Sequence, residues 1–251
     1  MLSMLQLAVG SLVGLFAGIL LGAIGGGGGG TYVILLTFVL GLPVTQAIGT
    51  SLALSTMTAF AGAVQHWRNG NIHRQSVPYL CIPAVIGVIS GAFLNQYIPA
   101  DSLKLMMAIV FVLLGLFSLV RSNRVGQGTK KQWVINMGLI FFGFFPGLLS
   151  GAFGLTGTVP ISSFLVAISG LEPQMAVGTT LTTVLVTSLA GAVAYFGKQS
   201  IEFVLVLVLG VWSAIGAYMG AKLTAKVSRK TLAIVLAVLA LAFGVYLALH
   251  L

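Results

Sequence analysis

The chain has 251 residues, of which 58% are hydrophobic and only 6% charged, with a mean hydropathy of +1.11. So little polar surface cannot clothe a water-soluble globule, and lipid is the solvent that fits. The net charge of +9 does not point to nucleic acid, because the cations stand in short loops between apolar runs and form no basic face with aromatic or polar readers.

Ten apolar segments follow in order. The first, residues 5–24, lacks the basic leader and the cleavage site of a signal peptide and is expected to stay as a helix. Next comes an unbroken glycine run, Gly25, Gly26, Gly27, Gly28, Gly29 and Gly30, then Thr31 and a short segment, 32–41. Segments 47–64, 77–97 and 103–120 complete the first half. Residues 122–132 carry Arg124, Lys130 and Lys131 with Gly126 and Gly128, directly after Arg121, and read as a solvated basic linker. The second half repeats the plan with 133–153, a short 159–170, then 175–196, 203–221 and 232–251. Runs of about 20 apolar residues match a hydrocarbon core about 30 Å thick. The expected organisation is one membrane domain: an N-terminal unit (1–121), the linker (122–132) and a C-terminal unit (133–251).

The two units are copies at a fixed shift of 143 − 14 = 129 positions. Gly14, Gly18, Gly22 and Gly25 fall on Gly143, Gly147, Gly151 and Gly154, and Gly49-Thr50-Ser51 falls on Gly178-Thr179-Thr180. Crossing at every segment puts Arg68, Arg74, Arg121, Arg124, Lys130, Lys131, Lys222, Lys226, Arg229 and Lys230 on one side, the cytoplasmic one, with both chain ends outside. Lys104 and Lys198 fall on the other face, beside Asp101 and Glu202. Five crossings per unit is odd, so the second unit enters the membrane upside down, and the expected fold is all-α with two inverted-topology repeats and broken or re-entrant glycine-rich segments.

The two short segments point to a site. Each follows a break, the glycine run in one unit and Gly154-Leu155-Thr156-Gly157-Thr158 in the other. Unpaired backbone in lipid costs several kcal/mol per group, so such a break has to line a polar cavity or be buried in protein. A short helix starting there aims free N–H groups and a positive dipole end at the cavity, which suits an anion. Gly14, Gly18 and Gly22, spaced by four, read instead as a helix-packing stripe. The second candidate is Gln46, Thr50 and Ser51 with Thr179 and Thr180, whose hydroxyls either bond their own helix backbone or meet a ligand near the pseudo-two-fold axis. The expected substrate-binding set is therefore Gly25 to Gly30, Thr31, Gln46, Thr50, Ser51, Thr156, Gly157, Thr158, Thr179 and Thr180.

Enzymatic chemistry finds no constellation. The acids are Asp101, Glu172 and Glu202, none in the middle of an apolar run, and the serines have no companion base. Cys81 reads as a small buried hydrophobe, and no Cys/His spacing suits a metal, so neither metal nor cofactor is expected. His66 and His73 in the loop after the third segment, and His250 at the chain end, are expected to be solvated at the interface, with His66 and Arg68 able to guide an anion to the cytoplasmic mouth. No buried carboxylate or Lys offers a proton carrier.

On Gly18-Ile19-Leu20-Leu21-Gly22-Ala23-Ile24-Gly25-Gly26-Gly27-Gly28, Ala47-Ile48-Gly49-Thr50-Ser51-Leu52 and their echoes in the second unit, the sequence resembles the TauE/SafE family of membrane permeases. The resemblance covers essentially the whole chain. It implies a multi-pass carrier in the bacterial cytoplasmic membrane that exports sulfur-containing oxyanions such as sulfite, sulfoacetate or other organosulfonates. A sulfonate offers three acceptor oxygens, which helix N-termini and hydroxyl donors can satisfy without a buried cation. The partners expected are a small anion, the bilayer and a second copy of the chain in a homodimer. The rival expectation is a channel-like membrane subunit that passes a sulfur species to a partner enzyme.

Overall fold

The computed structural model describes residues 4–24, 28–99, 102, 103, 105–107, 109, 110, 113, 131–197 and 201–223. Segment 232–251, most of 103–120 and of the linker, and Gly25 to Gly27, Asp101, Lys104, Lys198, Lys226, Arg229, Lys230 and His250, on which expectations were stated, lie outside the described residues. Within them every regular element is helical: α1 (Met4–Ile24), α2 (Gly28–Ile34, continued by a π-helical turn, Leu35–Val39), α3 (Val44–Arg68), α4 (Ser76–Asn95), α5 (Gln132–Phe153), α6 (Thr158–Ala167), α7 (Pro173–Phe196) and α8 (Phe203–Leu223). Among the described residues five stretches are long and apolar enough to cross a membrane, Val44–Arg68, Ser76–Asn95, Gln132–Phe153, Pro173–Phe196 and Phe203–Lys222.

α2 and α6 are too short for that. The ten residues of α6 rise about 15 Å at 1.5 Å each, half of a hydrocarbon core. Each is followed by a turn closed by a left-handed glycine, Gly41 (φ 70°) or Gly170 (φ 69°), and then by a proline, Pro43 or Pro173, at the start of the next long helix. The glycine supplies a φ that a Cβ would oppose, and proline's fixed φ suits a helix start.

One expectation is corrected here. The glycine run was read as non-helical throughout, yet Gly28, Gly29 and Gly30 form the first turn of α2. The first N–H groups of a helix need no intrahelical partner, so the low helix propensity of glycine is tolerated where close packing leaves no space for a side chain. A Cβ on Gly29 would lie only 2.5 Å from the Gly154 carbonyl oxygen.

The seams between helices follow the glycine stripes. Gly14, Gly18 and Gly22 of α1 lie against Leu209, Ser213 and Ala217 of α8, so these helices run parallel with backbones in close contact. Gly143, Gly147 and Gly151 of α5 lie against Leu80, Ala84 and Val88 of α4 in the same way. Both partners of each contact in the first seam are shifted by 129 positions, in opposite senses, from those in the second. Across the centre, α3 and α7 run antiparallel, with Leu52 on Gly191, Thr56 Oγ1 donating to Ser188 Oγ at 3.1 Å, and Gly62 on Leu181. Small residues let backbones approach, so dispersion replaces the hydrophobic drive that lipid does not supply.

The buried core lies between α2, α3, α7 and the inner faces of α1, α4, α5 and α8, with Tyr32, Leu36, Ile48, Leu52, Leu54, Tyr195 and Leu209 fully enclosed. Phe16, Phe60, Ile82, Phe93, Phe141 and Val193 point outward, as a lipid-facing surface requires.

Candidate functional site

The two breaks meet. α5 ends at Gly154 in the left-handed conformation (φ 72°), the chain passes through buried Leu155 and Thr156, and Gly157, left-handed again (φ 55°), starts α6. The backbone of Gly154 sits between Ser51 of α3 and Val33 of α2, and a Cβ there would stand 2.7 Å from both Ser51 Oγ and Val33 Cγ2. Across the gap the Gly29 N–H of α2 donates to Thr156 Oγ1 at 3.4 Å, a long hydrogen bond.

The electrostatics of this junction are one-sided. Three carbonyls in the last turn of α5 carry donors: Ser150 takes the Gly154 N–H at 2.8 Å, Gly151 the Tyr195 hydroxyl at 2.8 Å, and Ala152 the Asn95 side-chain amide at 2.7 Å. The negative end of that dipole is thereby quenched. At the N-termini of α2 and α6 compensation is weaker: neither has an acidic residue in its first turn, Gly157 gives α6 no side-chain cap, and the Gly29 N–H of α2 meets Thr156 Oγ1 only through the long bond above. A positive potential is left in a buried place, which is what a small oxyanion requires.

Two residues missed at the sequence level border the junction. Ser150 Oγ, one turn before Gly154, and Ser55 Oγ, one turn after Ser51 on α3, are buried without a hydrogen-bond partner. A buried hydroxyl without a partner costs about 1–3 kcal/mol, so unsatisfied donors next to a break mark where a polar ligand fits. The signal was present as Ser150 directly before Gly151, but a serine in a glycine stripe reads as packing.

Of the expected site residues, the structure brings Gly29, Ser51 and Thr156 together, with Gly28, Gly30, Gly157 and Thr158 on the adjoining helix starts. Ser51 also donates to the Ile48 carbonyl at 2.8 Å. Thr31 and Gln46 are half-buried, Thr31 in the second turn of α2 and Gln46 in the first turn of α3.

The expected meeting of the two hydroxyl pairs near the axis does not occur. α3 and α7 are antiparallel, so their N-terminal turns lie at opposite ends. Thr50 Oγ1 accepts the Glu202 N–H at 3.0 Å in the loop before α8, and Thr179 Oγ1 accepts the His73 N–H at 2.9 Å in the loop before α4. Each threonine latches a loop of the other half. Thr180 donates to the Ala176 carbonyl at 2.8 Å and accepts from Ser162 at 3.0 Å.

His66 needs correction too. It was expected in a solvated loop but lies in the last turn of α3, 1% exposed. Periodicity placed the helix end too early because Gln65, Trp67 and Arg68 are polar or interfacial, while the loop beside His66 folds back through the Asn71 N–H, bonded to the His66 carbonyl at 2.9 Å. His73 is half-buried, its Nδ1 2.8 Å from Ser76 Oγ. Cys81 is buried, as expected. Among the described residues no group of three or more His, Cys, Asp or Glu gathers to hold a metal.

A family model described as sulfite exporter TauE/SafE matches residues 11–247. Probable membrane transporter protein YdhB of Bacillus subtilis (strain 168) is 33% identical over 227 residues, covering 88% of this chain and 91% of that protein. YjnA of the same organism, also named a probable membrane transporter protein, is 28% identical over 253 residues, covering 94% of this chain and 97% of its own. A third such protein, MJ0441 of Methanocaldococcus jannaschii, is 25% identical over 253 residues, covering 95% and 94%. No solved structure matches.

Proposed function

The chain belongs to the sulfite exporter TauE/SafE family, a family of membrane transporters, and from that premise we propose that it is a secondary transporter exporting small sulfur-containing oxyanions, such as sulfite, sulfoacetate or another organosulfonate, by alternating access. The bacterial cytoplasmic membrane is its proposed location and a homodimer its proposed assembly. The observation that carries the reading is the meeting of the two broken segments: Gly29 of one against Gly154 and Thr156 of the other, with two helix N-termini opening there and the facing C-terminus capped by Asn95 and Tyr195. Such a junction offers an anion N–H and O–H donors and no competing carboxylate.

The architecture proposed for it is a 5+5 inverted repeat, residues 1–121 and 133–251 joined by the linker 122–132. Three reciprocal sets of contacts support it: the α1/α8 and α4/α5 seams, the antiparallel α3/α7 crossing, and the Thr50–Glu202 and Thr179–His73 latches. Parallel outer pairs with an antiparallel central pair are what an axis in the membrane plane generates. In alternating access one latch opens while the other holds, so the anion at the junction faces one side at a time.

The test is equilibrium binding of sulfite, sulfoacetate, taurine and sulfate to the purified chain in lipid nanodiscs. Saturable binding of a sulfur oxyanion that fails in a Gly29→Val variant is expected. Absence of binding by all four anions to folded protein overturns the substrate class and leaves the fold untouched.

A further inference from the structure

His66 is a buried titratable side chain that the anion site does not use. Its counterpart at the 129-residue shift is Tyr195, whose hydroxyl donates to the Gly151 carbonyl at 2.8 Å. His66 lies beside the counterpart carbonyl, that of Gly22 in α1, yet it lacks hydrogen-bond geometry: Nδ1 and Nε2 are both buried without a partner. One half thus carries a permanent donor where the other carries a group that can gain and lose a proton.

Among the described residues the ring meets helix carbonyls and no permanent cation. α1 brings no titratable side chain and presents the carbonyls near its C-terminus, while α3 ends two residues beyond His66. The negative ends of two helix dipoles therefore converge on the imidazole. α7 touches the His66 Cβ through Gly178; its titratable residue, Tyr195, is at its far end, and Glu172, just before its start, is exposed. α3 adds exposed Arg68, the covering loop adds half-buried His73 and exposed Arg74, and α8 ends with exposed Lys222 held 4.4 Å over the Tyr218 ring. Among the described residues no carboxylate bonds the ring to fix its charge.

The cover over His66 is itself a latch. The Asn71 carbonyl presses on Gly178, and the His73 N–H is held by Thr179 Oγ1 at 2.9 Å. Releasing that loop exposes the ring to water, and closing it returns the ring to the interior.

We propose that His66 is a proton-binding site that couples opening of the loop latched by Thr179 to anion movement through the junction. The proton passes from water to a ring nitrogen when the latch is open and back to water after the cycle, and no other bond is made or broken. This rests on the transporter reading above.

The experiment uses the full chain with 15N-labelled histidine in lipid nanodiscs and, in parallel, in proteoliposomes. Sulfoacetate is the probe, because its own groups stay ionised between about pH 5 and 8. With three histidines in the chain, the His66 signal is the one lost in His66→Tyr, the variant that copies Tyr195. The His66 ring is expected to change protonation with pH, with a midpoint that moves when sulfoacetate is added. Transport is expected to change up to about tenfold per pH unit in the wild type, as one linked proton dictates, and less than about twofold in His66→Tyr. A His66→Tyr chain with the wild-type pH profile, or a His66 ring whose protonation never changes with pH or anion, overturns the proposal. If His66→Tyr does not fold, the wild-type titration decides, with His66 assigned by elimination from His73→Gln and His250→Gln. A titrating His66 in a chain that moves no sulfur anion at any pH upholds the proton site and overturns the substrate reading alone.

Discussion

Glycine lines both the α1/α8 and α4/α5 seams and the junction of the two breaks, but it acts differently in each. In the seams Gly14, Gly18 and Gly22, and Gly143, Gly147 and Gly151, sit within helices and hold neighbouring backbones together. At the junction Gly154 and Gly157 are left-handed, Gly29 opens a helix, Ser51 Oγ lies against the Gly154 backbone, Thr156 Oγ1 accepts the Gly29 N–H, and Ser150, one turn before Gly154, has an unpartnered hydroxyl. The comparison teaches that glycine content does not identify a site. What separates packing from binding is the company of polar groups, some of them unsatisfied, and a backbone that has left the helix.

Five variants test that contrast. The largest effect belongs to the seams. Gly18→Leu drives a side chain into the Ser213 backbone, and overpacking of this kind costs about 3 kcal/mol or more. The folded fraction measured by fluorescence-detected size exclusion is expected to collapse, and Gly147→Leu, against Ala84, is expected to do the same.

At the junction the prediction changes kind. Ser150→Ala removes a buried hydroxyl that has no hydrogen-bond partner, so stability is expected to hold or rise by up to about 1 kcal/mol. Sulfoacetate affinity is expected to fall about tenfold, the loss of one hydrogen bond to a charged acceptor. A loss of stability with unchanged affinity would return Ser150 to the packing class.

The smallest effect lies at the latches. Thr179→Val removes the acceptor of the His73 N–H and is expected to cost about 1 kcal/mol, read as a lower melting temperature in nanodiscs. Thr50→Val, which releases Glu202, is expected to match it within about half a kcal/mol. A large inequality between the two would argue against reciprocal halves.

The legible part of the fold was the part written in periodicity. Apolar runs located α1, α3 to α5, α7 and α8, and the two short runs located α2 and α6 within a few residues. The breaks were legible because Gly154 and Gly157 stand with Thr156, Thr158 and Pro160 at the start of a run too short to cross a membrane. Three features were hidden. That Thr50 and Thr179 hold loops follows from antiparallel α3 and α7, a tertiary fact that no local spacing encodes. His66 looked solvated because its neighbours Gln65, Trp67 and Arg68 are polar or interfacial, and the loop that buries it is fastened by a residue 113 positions away, Thr179 (179 − 66). Ser150 and Ser55 looked like ordinary helix serines, and only the missing partner singles them out.

The central claim, that the meeting breaks form the anion site, is tested most directly at Thr156. In a Cys81→Ala background, Thr156→Cys carries a single thiol at the junction, and its rate of reaction with a small methanethiosulfonate is measured with and without saturating sulfoacetate, taurine or sulfate. The account predicts that a sulfonate slows the reaction at least about tenfold, while a cysteine at lipid-facing Phe16 is unaffected. Equal rates with and without every anion, in a chain that remains folded, would contradict it.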